Sequence, residues 1–336
     1  PATVSNGDRL KVLERGRRFI RVAPAHGAPG WLDQKVVAPQ EVFDGFDTLN
    51  KEHAGDPAVA TGVTRDEVYI HLKPGRKAEK LYRLTEGEKL KLLARATLPK
   101  VAPSALPLPP PLPPAPSTSK ASATAKKAAA AVEEPPPPPV MEDWWLIRDT
   151  QGHTGWMLSR LMAVDAPDSL LRYAEGQRIV GAYVLNRVYD PEAPQDDKNI
   201  PEYLTVTSPY KAGLPYDFDQ VRLFIWNVKR HRYETGFRDR NIEGYLPVTI
   251  TTAKDPSVKN VMGAMALPAF RYRVLAADSP AVIPDPETGA ITPGKTFFKT
   301  YRLEGNITRR LLAPGETAPE EAPPTPPKEK KRKPRR

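Results

Sequence analysis

The sequence predicts a mainly β protein, and three observations lead to that prediction. Short segments in which apolar and charged residues alternate recur along the chain, and this period of two is typical of half-buried strands. Glycine, proline, aspartate and asparagine separate the segments, as expected for turns. Two of the segments occur twice, which indicates a duplicated unit.

The duplicated unit consists of two matched pairs of segments. Gly7–Arg15 (GDRLKVLER) matches Gly87–Arg95 (GEKLKLLAR) at an offset of 80, and Phe19–Ala38 matches Trp144–Ala163 at an offset of 125. A three-residue connection, GRR, joins the segments in the first copy, whereas the second copy has a 45-residue insertion there. A connection that short suits a hairpin loop. We therefore predict that both copies contain the same hairpin and that the insertion lies at its tip, where extra length costs little.

Several short motifs within these copies resemble the bacterial SH3 (SH3b) family: Leu81–Leu93 (LYRLTEGEKLKLL), Trp144–Arg148 (WWLIR), and the glycine-tryptophan turns Gly27–Trp31 and Gly152–Trp156. The resemblance implies that each copy is a small barrel of five or six strands. It also implies non-catalytic binding modules, which in this family mostly lie outside the cytoplasm. There they hold envelope proteins and wall hydrolases onto peptidoglycan, teichoic acids or other proteins.

We expect five regions along the chain. The first SH3-like copy is truncated, because it lacks a counterpart of the strand around Val68–Leu72. In the linker, Val42, Phe43, Phe46 and Leu49 share one face of a short helix. The regions are residues 1–38, the truncated SH3-like module; 39–61, the helical linker; 62–165, the second SH3-like module with a proline-rich insertion at about 98–141; 166–313, an all-β domain; and 314–336, a disordered proline-rich basic tail.

Residues 166–313 contain seven candidate strands separated by turn residues. This pattern favours a β-sandwich or a small barrel, and an immunoglobulin-like or fibronectin-like sandwich is our first choice. A short helix is expected before the first of these strands, at DSLLRYAEG.

Proline marks the segments that we expect to be disordered. The chain of 336 residues has 40 prolines, clustered in the insertion and the tail, and such stretches bury too little apolar surface to offset their ordering entropy. The run PLPPPLPPAP is interpreted as an extended spacer. A polyproline II ligand for an SH3-like fold is the alternative.

The sequence does not favour an enzyme. It has no cysteine and five scattered histidines, and it has no phosphate-binding loop, nucleophile elbow or zinc-protease motif. We therefore predict no catalytic residues, no cofactor, no metal and no small-molecule substrate. No apolar run is long enough to cross a bilayer. The start at PATVSNGDRL leads us to expect that an export signal was removed and that the protein is periplasmic or extracellular.

Aromatic residues of the two copies are the candidate ligand-binding residues. Trp144 and Trp145 are neighbours on one strand and must point to opposite faces. Core packing and a shallow stacking groove both remain open for the set: Trp31, Tyr69, Tyr82, Trp144, Trp145 and Trp156.

A second candidate site is the basic tail. The net charge is +10, and the last nine residues supply much of it through Lys328, Lys330, Lys331, Arg332, Lys333, Arg335 and Arg336. The function expected is a non-catalytic binding or scaffolding protein of the cell envelope. Its partner would be peptidoglycan, an anionic wall polymer or an envelope protein. The alternatives are a nucleic-acid-associated protein acting through the tail and a regulatory subunit that binds a protein partner.

Overall fold

The structure, a computed structural model, describes residues 3–5, 7–100, 139–258 and 261–323. Most of the predicted insertion and the basic end of the predicted tail lie outside these residues. Antiparallel strands dominate the described ranges, so the prediction of a mainly β protein is confirmed. None of the helices in these ranges has the length and apolar character needed to cross a membrane.

The first repeat is a three-stranded antiparallel meander followed by the linker helix. A 3₁₀ turn at Gln34–Val36 separates the meander from the helix, and the helix buries Phe46. The predicted linker helix is therefore present. The elements are β1 (Leu10–Arg15), β2 (Phe19–Pro24), β3 (Gly30–Asp33) and α1 (Gln40–Glu52).

The second repeat is a seven-stranded antiparallel sheet. The elements are β4 (Ala60–Thr64), β5 (Val68–His71), β6 (Lys80–Leu84), β7 (Lys89–Pro99), β8 (Met141–Arg148), β9 (Thr154–Leu158) and β10 (Met162–Val164). Their spatial order is β10-β4-β7-β8-β9-β5-β6, so the central strands β7, β8 and β9 are flanked by strands on both sides.

The two repeats share the same strand register. Lys11 pairs with Ala23 in the first copy, and the positions 80 and 125 residues later, Lys91 and Arg148, pair in the second. Each first strand carries a bulge at the equivalent point, after Val12 and after Leu92. The matched glycines of the β2–β3 and β8–β9 turns both have positive φ, a conformation that glycine adopts without steric cost. The duplication is therefore present in the structure as well as in the sequence.

The insertion leaves the second repeat at the end of a hairpin, as the sequence predicts. The β7–β8 ladder continues to a pair between Pro99 and Met141, and the amide of Lys100 donates to the carbonyl of Val140 at 2.7 Å. The hairpin stays paired up to the ends of the insertion. The two ends of the inserted segment therefore lie side by side.

The C-terminal region is one seven-stranded sheet in which every strand pairs with the next along the chain. An immunoglobulin-like or fibronectin-like sandwich requires two sheets, so that prediction is wrong. The elements are α2 (Asp168–Leu171), β11 (Arg178–Tyr189), β12 (Asn199–Ser208), β13 (Phe218–Asn227), β14 (Arg232–Ala253), α3 (Val261–Ala264), β15 (Leu267–Leu275), β16 (Thr296–Glu304) and β17 (Ile307–Leu311). The single sheet curls, and β11 contacts β14 and β15.

The second repeat and the C-terminal sheet share one hydrophobic core. The buried side chains form a continuous cluster that includes Phe46 of α1, Ile70 and Trp145 of the second repeat, and Phe270 and Leu303 of the C-terminal sheet. Burial of this apolar surface is the main favourable term holding the two sheets together. The second repeat is therefore part of a larger folded body.

A buried arginine crosses from the second repeat to the C-terminal sheet. The Arg95 Nε of β7 donates to Asp217 Oδ1 at 2.9 Å, and its Nη2 donates to the carbonyls of Leu214 and Tyr216 at 3.0 and 2.7 Å. Its Nη1 lies 3.7 Å from Asp143 Oδ1. These groups replace the water that the guanidinium loses on burial.

We predict that Arg95→Met lowers the free energy of unfolding by about 3–5 kcal/mol, because it leaves the Asp217 and Asp143 carboxylates without their buried cation. Urea denaturation measures the loss. The control is Arg83→Met, which removes an exposed ion pair with Glu67 and should cost at most about 1 kcal/mol. Equal losses in the two variants would contradict the structural role of Arg95.

Candidate functional site

The six predicted aromatic residues do not form one groove. Trp144, Trp145 and Tyr82 are buried, and Trp156 is half-buried. Only Trp31 and Tyr69 are exposed. Core packing therefore accounts for the first three, and a stacking surface that includes all six is not present.

The β5–β6 hairpin covers the aromatic residues of the second repeat. The His71 ring meets the Trp144 ring edge-on, with centroids 5.1 Å apart, and the His71 backbone pairs with that of Trp156. In the loop that follows, Arg76 forms an ion pair with Glu142 at 2.6 Å. Burial, and then the charge of Lys80, lowers the pKa of His71, so the ring is neutral at physiological pH. The hairpin seals this face of the second repeat.

The equivalent face of the first repeat is open. Phe19 occupies the position of Trp144, and its side chain is 46% exposed where that of Trp144 is 2% exposed. Trp31 occupies the position of Trp156 and is 53% exposed. The described part of the first repeat contains no counterpart of the β5–β6 hairpin, which explains the difference.

This open face carries a pocket of about 570 Å³, lined by Gly16, Arg17, Arg18, Phe19 and Trp31. The GRR connection places both arginines at the β1–β2 turn, next to the aromatic rings. A Cβ at position 16 would lie 2.9 Å from the carbonyl oxygen of Phe19, so glycine permits the close turn. Of these five lining residues, the sequence pattern indicates Trp31 alone as a candidate.

The charges around the pocket are mainly positive. The Arg18 guanidinium lies 5.4 Å from the centre of the Phe19 ring and its Nε is 3.6 Å from Asp33 Oδ2. The Lys35 amide donates to the Asp33 carboxylate, and together with Arg18 it lowers the pKa of Asp33. Within the ranges that the structure describes, Arg17 has no acidic partner. The pocket therefore offers two aromatic surfaces beside at least one free cation.

The predicted polyanion site in the basic tail has no described position in the structure. Its residues lie outside the described part of the chain: Lys328, Lys330, Lys331, Arg332, Lys333, Arg335 and Arg336.

The acidic loop Tyr189–Asn199 is held by a buried carboxylate. Asp190 accepts hydrogen bonds from Trp226 Nε1 at 2.7 Å and from the Glu192 amide at 3.0 Å, and lies 2.8 Å from His231 Nδ1. Burial alone would raise the pKa of Asp190, but these hydrogen bonds outweigh it and lower the pKa. In the described ranges, no group of three or more His, Asp or Glu side chains could hold a metal ion. Asp190 therefore has a structural role in holding this loop.

Comparison of the chain with protein-family models, with curated proteins and with solved structures finds no match. The chemistry of the pocket therefore has to be inferred from its own residues.

We predict that Trp31 dominates quenching of the protein's fluorescence by acrylamide, because it is the most exposed of the five tryptophans. Trp31→Phe should remove the readily quenched component and change the free energy of unfolding by no more than about 0.5 kcal/mol. Trp156→Phe is the control and should leave that component in place. An unchanged quenching curve in Trp31→Phe would show that the face is covered.

We predict that Asp190 makes stability depend on pH. Because its pKa is lower in the folded than in the unfolded chain, the carboxylate stabilises the fold above about pH 4, and this contribution is lost as the pH falls through the folded pKa. Asp190→Asn should be less stable at pH 7 and should lose less stability between about pH 5 and pH 3. Denaturant midpoints across this range test the prediction. The exposed Asp197→Asn is the control and should keep the wild-type profile.

Proposed function

We propose that this chain is a non-catalytic binding and scaffolding protein of the cell envelope, built on tandem SH3-like modules. The first repeat holds the ligand site, and the second repeat anchors it to the C-terminal sheet. The observation that carries the proposal is the open pocket at Arg17, Arg18, Phe19 and Trp31. Its ligand is peptidoglycan with its anionic wall polymer.

The composition of the pocket supports a ligand with both flat apolar faces and negative charge. The exposed rings of Phe19 and Trp31 offer apolar surface for the faces of sugar rings. Arginine binds carboxylate and phosphate through several donors in a fixed plane. Wall polymers carry sugars and such anions along one chain.

The contrast between the repeats supports a division of roles. The second repeat has the same meander, but the β5–β6 hairpin fills the equivalent face with His71 and Arg76. Its core also continues into the C-terminal sheet. A rigid base of this kind suits a scaffold, since it holds the ligand-binding repeat without adding flexibility of its own.

We predict that the protein sediments with purified sacculi that carry their anionic polymer, and that Trp31→Ala weakens this binding about tenfold or more. Arg17→Ala should also weaken binding, by a factor that shrinks as salt screens the charge. The control is Tyr210→Ala, which removes an aromatic ring that is more exposed than that of Trp31 and lies far from the pocket along the chain, and it should bind as the wild type does.

Deletion of residues 328–336 separates the pocket from the basic tail. The proposal requires that the deletion variant still sediments with sacculi and remains sensitive to Trp31→Ala. If binding disappears with the tail and is indifferent to Trp31, the pocket is not the site. Tail-dependent binding to nucleic acid, lost steeply with added salt, would then favour a nucleic-acid-associated protein.

A further inference from the structure

The first repeat has an unpaired strand edge at β1. In the second repeat the equivalent edge is occupied, because β4 runs antiparallel to β7 and pairs Ala60 with Leu92 and Val63 with Lys89. No strand of the described chain takes that position beside β1. An exposed edge presents a row of backbone donors and acceptors that can pair with another strand.

The apolar residues of this edge are uncovered. Val12 is 37% exposed, whereas Leu92, its counterpart in the second repeat, is 3% exposed. Leu13 is 47% exposed, and its counterpart Leu93 is 6% exposed. The second repeat therefore shows the burial that an added strand and its surroundings provide at these positions.

The bulge in β1 places two opposite charges on one face. Lys11 pairs with Ala23 and Glu14 pairs with Arg21. Ala23 and Arg21 are two residues apart in β2 and so share a face of the sheet, which means that Lys11 and Glu14 share it too. Both side chains are exposed and, within the described residues, neither has an ion-pair partner. Without the bulge, residues 11 and 14 would lie on opposite faces.

We propose that β1 pairs with β1 of a second copy of this chain, forming a symmetric dimer with a continuous six-stranded sheet. An antiparallel pairing centred between residues 12 and 13 sets Lys11 opposite Glu14 of the second copy, and the two-fold symmetry repeats this pair. The same register sets Val12 beside Leu13 of the second copy. The pairing gives hydrogen-bond partners to the backbone groups at both strand edges, and it places two Lys11–Glu14 pairs across the interface.

The bulge is what makes this symmetry possible. A two-fold axis perpendicular to the sheet does not exchange the two faces of the sheet. Two residues that pair across the axis must therefore point to the same face, and because the two strands are identical, both positions must lie on the same face of β1. Lys11 and Glu14 meet this condition because of the extra residue. The inner faces of the two meanders, which carry the buried Ile20 and Val22, then lie on the same side of the joined sheet.

Sedimentation velocity on the 336-residue chain tests the proposal. The wild type should show a dimer below about 100 μM. Lys11→Glu and Glu14→Lys each place like charges in contact twice, and each should raise the dissociation constant about tenfold or more. The double variant, which carries both changes, exchanges the charges and should restore the wild-type constant. Far-UV circular dichroism checks that every variant is folded.

Three results would overturn the proposal: a wild type that remains monomeric at about 100 μM, a dimer that is insensitive to the single variants, or a double variant that fails to recover. Val12→Asp provides an independent variant, and it should abolish the dimer, whereas Val228→Asp at a similarly exposed valine should not. A monomer that instead binds a peptide with the sequence of residues 57–66 would assign the edge to another polypeptide and exclude the symmetric dimer.

Discussion

The contact on which the architecture depends is the burial of the Arg95 guanidinium between two sheets. Its donors meet the carboxylate of Asp217 and two backbone carbonyls of the segment before β13, and the same Asp217 accepts a hydrogen bond from the Leu246 amide of β14. One ion pair thus ties β7 and β14 to the segment that leads into β13. Because a buried charge tolerates little displacement from its partners, this contact fixes how the second repeat sits on the C-terminal sheet, while the shared core supplies most of the favourable free energy. The two effects together hold the second repeat in a fixed position on the C-terminal sheet.

The sequence was sufficient to find the repeat but not to determine the C-terminal topology. Matched offsets revealed the two hairpins, because residues that pair in one copy recur at the same spacing in the other. The seven candidate strands of the C-terminal region also correspond to real strand segments, but local alternation does not encode which strand lies beside which. Two of the candidates, HRYETGFR and YLPVTITT, are parts of the long β14, and the strand Ile307–Leu311 is not among the candidates because its arginines weaken the apolar pattern. The order of the strands in the sheet depends on contacts between residues that are far apart in the sequence.

The candidate site was only partly visible in the sequence for a similar reason. Trp31 stands out beside its glycine turn, but nothing near it in the sequence indicates that Trp144 is sealed while Phe19 is open. That difference is produced by the β5–β6 hairpin, which lies at least 60 residues before Trp144 in the sequence. The available signal was the alignment itself: the segments matched between the copies include the central strands β7, β8 and β9 of the second repeat and do not include its covering β5–β6 hairpin. Differences between copies therefore carry more functional information here than the motifs that the copies share.

The paired exit of the inserted segment from β7 and β8 has a consequence for the design of variants of this protein. Since Pro99 and Met141 face each other, a replacement sequence of any length starts and finishes at one spot on the surface, and the strand pairing of the seven-stranded sheet does not depend on it. A reporter domain or a reactive tag could be grafted there with neither sheet disturbed. Natural exchange of this segment would likewise change what the chain carries between Pro99 and Met141 while the register of β7 and β8 stays the same.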